Sequence, residues 1–500
     1  MNTPFNTLKL VHLGIDTQRE HVVFMRKDCH ICISEGFEAL NRVLVTVKGK
    51  SKIATLYIIN DGILNPGEAG LSESAWGDLN AKEGDEISFS HVQPVNSMRS
   101  IRAKMYGQEL NYESLQNIIN DIVKGEYSNI EIAAFITACG GDSLSIDEII
   151  GLTKAMVVSG QRLSWNKKIV VDKHCVGGLP GNRTTPIVVA IIAAFGLTIP
   201  KTSSRAITSP AGTADSLETM TKIDLSIKQI QKVVEQENGC FVWGGSIKLS
   251  PADDILIRVE RALDVDGEGQ MIASVLSKKI AAGSTHVVID IPIGKTAKVR
   301  TEKDAEKLKY YFNVVGKAMG INVNVLFTDG SQPIGRGIGP ALEAMDVLSV
   351  LRNEKDAPQD LRNKSLLLAA SIIEMVNGTK NKSGLQLAKE ILSSGEAYAK
   401  FMAICQAQGG FKEPEFAPYK EDVKAEKSGI VTEIDNRRLA KIAKLAGAPH
   451  DSKAGVLLKT PLNTKVQTGD VLYCIYSETK GELKYSIDYM KSEEDIILIQ

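Results

Sequence analysis

The apolar positions of this chain follow three patterns in turn. Residues 8–13, 21–25, 43–47, 55–59 and 86–89 carry short β-branched or alternating runs, which predict strands. Asn60-Asp61-Gly62 and Asn65-Pro66-Gly67 read as turns between them, and residues 71–76 as a short helix. Past Pro94 the spacing lengthens. Leu115, Ile118, Ile119 and Ile122 recur at helical intervals over 111–124, and helices are expected again over 131–138 and 145–158, the last opened by the capping pair Ser145 and Glu148.

From residue 169 the two periods alternate. A strand over 169–171 precedes a helix with Pro186 at its first position, stopping at Gly196. An extended run over 197–202 leads to a helix from about Ala214. Helices over 226–237, 251–263, 269–282 and 302–319 alternate with strands over 240–243, 286–291 and 322–327. That alternation predicts a mainly parallel sheet covered by helices. Residues 363–408 read as helical. Beyond them come a strand at 428–434, a helix at 436–446, and strands at 456–458, 471–475 and 484–487. The expected fold is multidomain α/β: a β-rich domain (1–97), a helical domain (98–165), an α/β domain (166–424) and a C-terminal α+β domain (425–500).

Composition removes several classes of function. Hydrophobic residues at 43% suit folded cores, and 59 basic against 60 acidic side chains leave no general pull toward nucleic acid or membrane. The most apolar stretch, 186–199, is too short to span a bilayer. The first residues lack a charged-then-apolar leader, and seven scattered cysteines suit a reducing compartment, so a cytoplasmic protein is expected. Cys29 and Cys32 form a CHIC run without a second ligand pair and read as ordinary core cysteines. No metal cluster is visible, and neither a metal nor an organic cofactor is expected.

Candidate chemistry gathers in two loops, 172–185 and 203–213. Each follows an extended run and precedes a helix, so each offers backbone N–H groups where anions are favoured. Gly177, Gly178 and Gly181 let the first loop bend sharply. Lys173, Arg183, Lys201 and Arg205 supply positive charge, and Thr184, Thr185, Ser203, Ser204, Thr208, Ser209 and Thr213 supply hydroxyls. The residues read as a phosphate or phosphoester site, with two merely solvated loops as the alternative. Farther on, Ser274 and Lys278 lie four apart and share a helix face. Asp253 and Asp254 suit the first turn of a helix, and Asp266 reads as a helix cap or a functional acid.

These loops also carry a resemblance. Asp172-Lys173-His174-x-x-Gly177-Gly178, Ser203-x-Arg205 and Gly212-Thr213-x-Asp215-x-x-Glu218 resemble the thymidine phosphorylase family. The wording SSRAITSPAGTAD is similar to its branch of longer chains, which holds the archaeal AMP phosphorylases and bacterial chains named for thymidine phosphorylase. The resemblance implies that Lys173, Thr185, Ser203 and Thr213 bind the attacking phosphate, with Cys175 standing where a hydroxyl is usual. It implies Asp266 as proton donor, with His174 beside the substrate. Gly178, Ser204, Arg205, Ala206, Ile207, Thr208, Ser209, Thr213, Ser274 and Lys298 match nucleotide contacts of the AMP branch, and Ser274 with Lys278 match positions that hold a pyrimidine. An arginine that contacts the base in short members falls at Val259, between Arg258 and Arg261.

The implied reaction is phosphorolysis of a glycosidic C–N bond. Phosphate is already a competent nucleophile, so the protein must position it, stabilise the leaving base and exclude water. Thymidine, giving thymine and 2-deoxyribose 1-phosphate, is the expected substrate. A nucleoside 5′-monophosphate, AMP first, is the alternative. A non-catalytic nucleotide sensor and a phosphoribosyltransferase stand as further readings. The expected partners are a small nucleoside or nucleotide and phosphate, within a homodimer or larger homo-oligomer.

Overall fold

The computed structural model describes residues 7–500 apart from 19, 61, 207, 208, 248, 264, 266 and 378–381. The chain divides into two compact units, residues up to 108 with 117–138, and residues 109–116 with 139–500.

In the first unit six strands close into a barrel. They are β1 (Thr7–His12), β2 (Val22–Arg26), β3 (Arg42–Val47), β4 (Lys50–Ile59), β5 (Glu68–Leu71) and β6 (Glu86–His91), in the order β1-β5-β2-β4-β3-β6. Antiparallel pairing of β6 with β1, Ile87 opposite Leu8, completes the ring. The period-two pattern sends Val43, Val45 and Val47 inward with Leu10, Val23, Met25 and Leu56. Cys29 and Cys32 are free thiols in this core. Two short helices interrupt the strands, α1 (His30–Glu35) and α2 (Glu73–Leu79). After the barrel come α3 (Met98–Met105), α4 (Tyr112–Lys124), which the two units share, and α5 (Asn129–Ala138), which packs on α3. The apolar pattern does not mark α3, because its apolar residues form a narrow stripe among Arg99, Arg102 and Lys104.

The second unit opens with α6 (Ile146–Ser159), whose Ser145–Glu148 capping box forms as the sequence predicts. The α/β part then runs β7 (Val171–Cys175), α7 (Thr184–Ala194), β8 (Ile199–Ser203), α8 (Thr213–Glu218), α9 (Ile227–Glu237), β9 (Gly239–Trp243), α10 (Pro251–Leu263), α11 (Glu268–Ala281), β10 (His286–Ile293), α12 (Glu302–Ala318) and β11 (Asn322–Asp329). β11, β10 and β7 pair in parallel, as do β8 and β9. A parallel bridge from Val170 to Thr198 joins the two pieces, giving the order β11-β10-β7-β8-β9. The direction of travel reverses between β7 and β10. In open parallel sheets ligands bind outside the carboxyl ends of the strands at such a reversal.

Pro186 is the third residue of α7 and not its first; Thr184 leads and Arg183 precedes it. The shift is tolerated because N–H groups in a first turn have no intrahelical acceptor. α7 is buried nearly all round, with Ile187, Val188, Ile191 and Ile192 in the largest core of the unit.

The chain closes with β12 (Gly337–Ile338), α13 (Pro340–Leu351), α14 (Gln359–Asn377), α15 (Gly384–Ser393), α16 (Glu396–Ala407), β13 (Tyr419–Lys424), β14 (Gly429–Ile434), α17 (Asn436–Leu445), β15 (Gly455–Leu458), β16 (Lys465–Val466), β17 (Val471–Ser477), α18 (Lys480–Ser492) and β18 (Ile497–Ile499). One expectation fails here: residues 484–487 lie within α18. Read alone, Tyr485 and Ile487 alternate like a strand. Leu483, Ile487 and Met490 instead repeat at helical spacing and pack on the C-terminal core, and Thr479 caps the helix through the Glu482 N–H. No helix among the described residues is long and apolar enough to cross a membrane.

The α/β part is fastened internally by charge. Asp172 of β7 is fully buried and meets Lys201 of β8 at 2.9 Å and Lys279 of α11 at 2.8 Å. Against the cost of burial, the two ammoniums hold Asp172 below the usual carboxylate range. Burial draws Lys279 down to about 7. Removing one partner of a buried ion pair leaves the others uncompensated. Asp172→Asn should therefore lower the unfolding free energy by about 3–5 kcal/mol, read from urea denaturation of the second unit's transition.

Candidate active site

β7 ends at the reversal point, and its side chains alternate between the two faces of the sheet. Asp172 and His174 point one way. The charges that act on His174 are those of Lys279, Lys201, Lys278 and Lys173. Lys173 and Cys175 point the other way, toward the loop that enters α7. The Lys173 Nζ donates to Thr184 Oγ1 at 2.7 Å and to Thr185 Oγ1 at 3.5 Å. Asn182 Nδ2 donates to Cys175 Sγ at 3.3 Å. One strand end thus serves two half-sites.

The basic residues of the two loops have different roles. Lys201 is held by Asp172 and by the Lys173 carbonyl. Arg183 is held by Glu343, at 2.6 Å from Nε and 2.5 Å from Nη2. Arg205 is held by Glu218, at 2.5 and 2.7 Å, and lies over the Trp243 ring. Each of the three is thus engaged by a carboxylate, which the sequence reading of their charge did not show. Lys173 is different. It is 2% exposed and makes no ion pair with a carboxylate among the described residues. Burial pulls its pKa down, while the Asp290 carboxylate, beyond ion-pair distance, acts the other way. An anion bound there would add a direct partner.

Its surroundings suit one. An ammonium donating to the Thr184 and Thr185 oxygens leaves each hydroxyl hydrogen free to donate onward. The Ser203 hydroxyl, at the carboxyl end of β8, is buried without a partner. Asp290 of β10 is buried behind the strand ends. It meets Lys364 at 3.1 Å and accepts from Thr328 at 2.6 Å. Burial pushes the Cys175 thiol up, with Asp290 adding to the effect, so it faces this cradle as a neutral group.

The first loop closes against the one after β10. A Cβ on Gly178 would lie 2.5 Å from the Lys298 nitrogen, and Gly178 has φ +79°, so both space and conformation call for glycine. Asn436, first residue of α17, donates to Thr296 Oγ1 at 3.0 Å and to the Gly330 carbonyl at 3.1 Å, holding the loops after β10 and β11 together. The second loop is folded on itself. Asp215 accepts from the Ala206 and Gly212 N–H groups at 2.7 and 2.8 Å, the Ala214 N–H donates to the Ser204 carbonyl, and Ser209 Oγ donates to the Ala211 carbonyl. Ile207, Thr208 and the expected proton donor Asp266 lie outside the described residues.

On α11 the Lys278 Nζ donates to Ser274 Oγ at 3.1 Å and pairs with Asp253 at 2.7 Å. Asp253 is 2% exposed, so its role exceeds the helix-dipole reading taken from sequence. Only the fold, which packs α10 and α11 on α6 and lets Lys278 reach Asp253, reveals it. Val259 is buried, and the arginine position of short family members is filled by an apolar side chain. Among the described residues no group of three or more His, Cys, Asp or Glu is placed to hold a metal.

Three segments match family descriptions. Residues 99–160 match the helical bundle domain of a glycosyl transferase family, and 167–398 its a/b domain. Residues 430–496 match a pyrimidine nucleoside phosphorylase C-terminal domain. A "Putative thymidine phosphorylase" of Hahella chejuensis is 54% identical over 99% of this chain and 98% of its own length. One of Legionella pneumophila (strain Corby) is 55% identical over 98% and 95%. The chain belongs to the thymidine phosphorylase family. It is accordingly a nucleoside phosphorylase, an enzyme that transfers a pentosyl group. Anthranilate phosphoribosyltransferase of Thermus thermophilus, at 20% identity, superposes with a TM-score of 0.52 over 62% of this chain and 99% of that one, and shows the shared fold.

His174 yields a pH prediction. Burial, reinforced by the lysines around it, holds its pKa well below the usual imidazole value. The unfolded histidine takes up a proton below about pH 6.5 and the folded one does not. Its contribution is therefore present above about 6.5 and lost as pH falls toward the folded pKa. His174→Gln should shrink the loss of unfolding free energy between pH 7.5 and 5.5 by up to about 1.4 kcal/mol. An unchanged difference in denaturation midpoints would place His174 in a solvated, ordinary environment.

Proposed function

We propose that this enzyme phosphorolyses thymidine to thymine and 2-deoxy-α-D-ribose 1-phosphate. The observation that carries the reading is the buried Lys173 ammonium, with no carboxylate within ion-pair distance among the described residues, set behind two threonine hydroxyls at the sheet's reversal point. Phosphate would sit against Thr185, Ser203 and Thr213, with Lys173 behind them. Ser274, Lys278 and neutral His174 would orient the base, and Lys278 would be held by Asp253. Asp266 would protonate the leaving base. The glycosidic bond breaks as phosphate oxygen bonds C1, and the electron pair leaves with the base, which takes the acid's proton. No metal or cofactor enters the step; phosphate is the co-substrate.

The choice of a nucleoside over a 5′-monophosphate rests on the second loop. A second phosphate pocket there would need free donors. Arg205 is paired with Glu218, and the Ala206 and Gly212 N–H groups point at the Asp215 carboxylate. A carboxylate at that place opposes a second dianion. The many relatives named for thymidine support the same choice. The competing reading, phosphorolysis of AMP to adenine and ribose 1,5-bisphosphate, draws on Gly178, Ser204 to Ser209, Ser274 and Lys298.

The test is phosphate-dependent base release from thymidine, uridine, AMP, CMP and UMP, with and without EDTA. Release from thymidine, unchanged by the chelator, is expected. Preference for monophosphates would replace the substrate. A requirement for divalent metal would favour pyrophosphate chemistry instead. Asp266→Asn should lower kcat by about 10²-fold or more while nucleoside still binds, measured by calorimetry; unaltered kcat would remove Asp266 from the mechanism.

A further inference from the structure

We infer that Arg183 is a positioning residue for the phosphate subsite: it acts through Thr213 and locks the two anion loops to one another. The inference rests on the phosphorolysis reading. Arg183 stands at the last position before α7, one residue ahead of Thr184. All three nitrogens of its guanidinium are engaged. Nε and Nη2 grip Glu343, which is 1% exposed in the first turn of α13. Nη1 donates to Thr213 Oγ1 at 2.7 Å, and Nη2 donates to the Ala211 carbonyl at 3.0 Å. The first loop, the second loop and α13 thus meet on one planar group.

Two consequences follow from donor and acceptor chemistry. A hydroxyl has one hydrogen and two lone pairs. When Nη1 occupies a lone pair of Thr213, the hydroxyl hydrogen is directed elsewhere, free for the phosphate that the family resemblance assigns to Thr213. Thr213 is then arranged as Lys173 arranges Thr184 and Thr185: a cation behind a hydroxyl that donates forward. The difference is that Glu343 neutralises Arg183, so this cation sets geometry and adds little net charge. Glu343 is fixed in turn, accepting from Ser216 Oγ and the Gly339 N–H, each at 3.3 Å. Lysine cannot replace this arginine, because a single ammonium on a flexible stem does not reach the carboxylate, the hydroxyl and the carbonyl in one plane.

The experiment compares Arg183→Gln, Arg183→Lys, Thr213→Ala and the double variant Arg183→Gln/Thr213→Ala. Each is assayed for base release over a range of phosphate and nucleoside concentrations. Expected are a KM for phosphate raised about tenfold by Arg183→Gln and by Thr213→Ala alike, a nucleoside KM changed by less than about twofold, and a double variant no worse than either single. Arg183→Lys should fall between wild type and Arg183→Gln, and it carries the comparison should the glutamine variant fail to fold. Fold-changes that multiply in the double variant, or a phosphate KM that does not move, would overturn the inference. The shift of Tm with inorganic phosphate is measured alongside. A wild type that phosphate stabilises but that releases no base refutes the reaction; the clamp is then judged by whether Arg183→Gln abolishes the shift. A wild type showing neither overturns both.

Discussion

One buried carboxylate, Asp172, holds two lysines, and the α/β part is arranged around that cluster. Lys201 comes from the neighbouring strand and Lys279 from the helix that carries Ser274 and Lys278. A buried ion is tolerated only when its partners are fixed, so this carboxylate ties β7, β8 and α11 into one body. The next residue, Lys173, points to the opposite face and has no carboxylate within ion-pair distance, although Asp290 acts on it from farther off. Charge is paired directly on one side of the strand and only indirectly on the other. That asymmetry suits an anion site, and it costs a single alternation of side chains.

Behind the cradle the same device recurs. Asp290 balances Lys364, and Glu343 balances Arg183. Each pair is buried: the first ties β10 to α14, and the second ties the loop before α7 to the first turn of α13. The ion pairs therefore give the site its shape, while Lys173 gives it its sign. In the proposed reaction such preorganised dipoles would act with little reorganisation as charge develops on phosphate and leaving base.

Much of this was legible in the sequence. The strand–loop–helix rhythm located the two loops, the glycines marked the tight approach at Gly178, and the motif singled out Lys173, which the structure buries beside Thr184 and Thr185. What the sequence could not tell is which positive charges are free. Arg183, Lys201 and Arg205 look equivalent to Lys173 as letters, yet each finds a carboxylate: Glu343, 160 residues on, for Arg183, Asp172 for Lys201, and Glu218, 13 residues on, for Arg205. Pairing across 160 residues leaves no local trace. Asp253 was missed for the same reason, since a helix-dipole account explained it without a partner. α18 was misread because four residues are too short a window to separate a period of two from one of 3.6.

The barrel of the first unit has a further consequence. Its strands close on themselves, with β6 returning to β1, so among the described residues of the ring every strand has a neighbour on both sides. A closed ring presents no row of unpaired N–H and C=O groups. Another chain therefore cannot extend it by adding a strand, whether as a partner or as a seed of aggregation. Any association made through this unit must use side chains on the barrel wall or the helices attached to it.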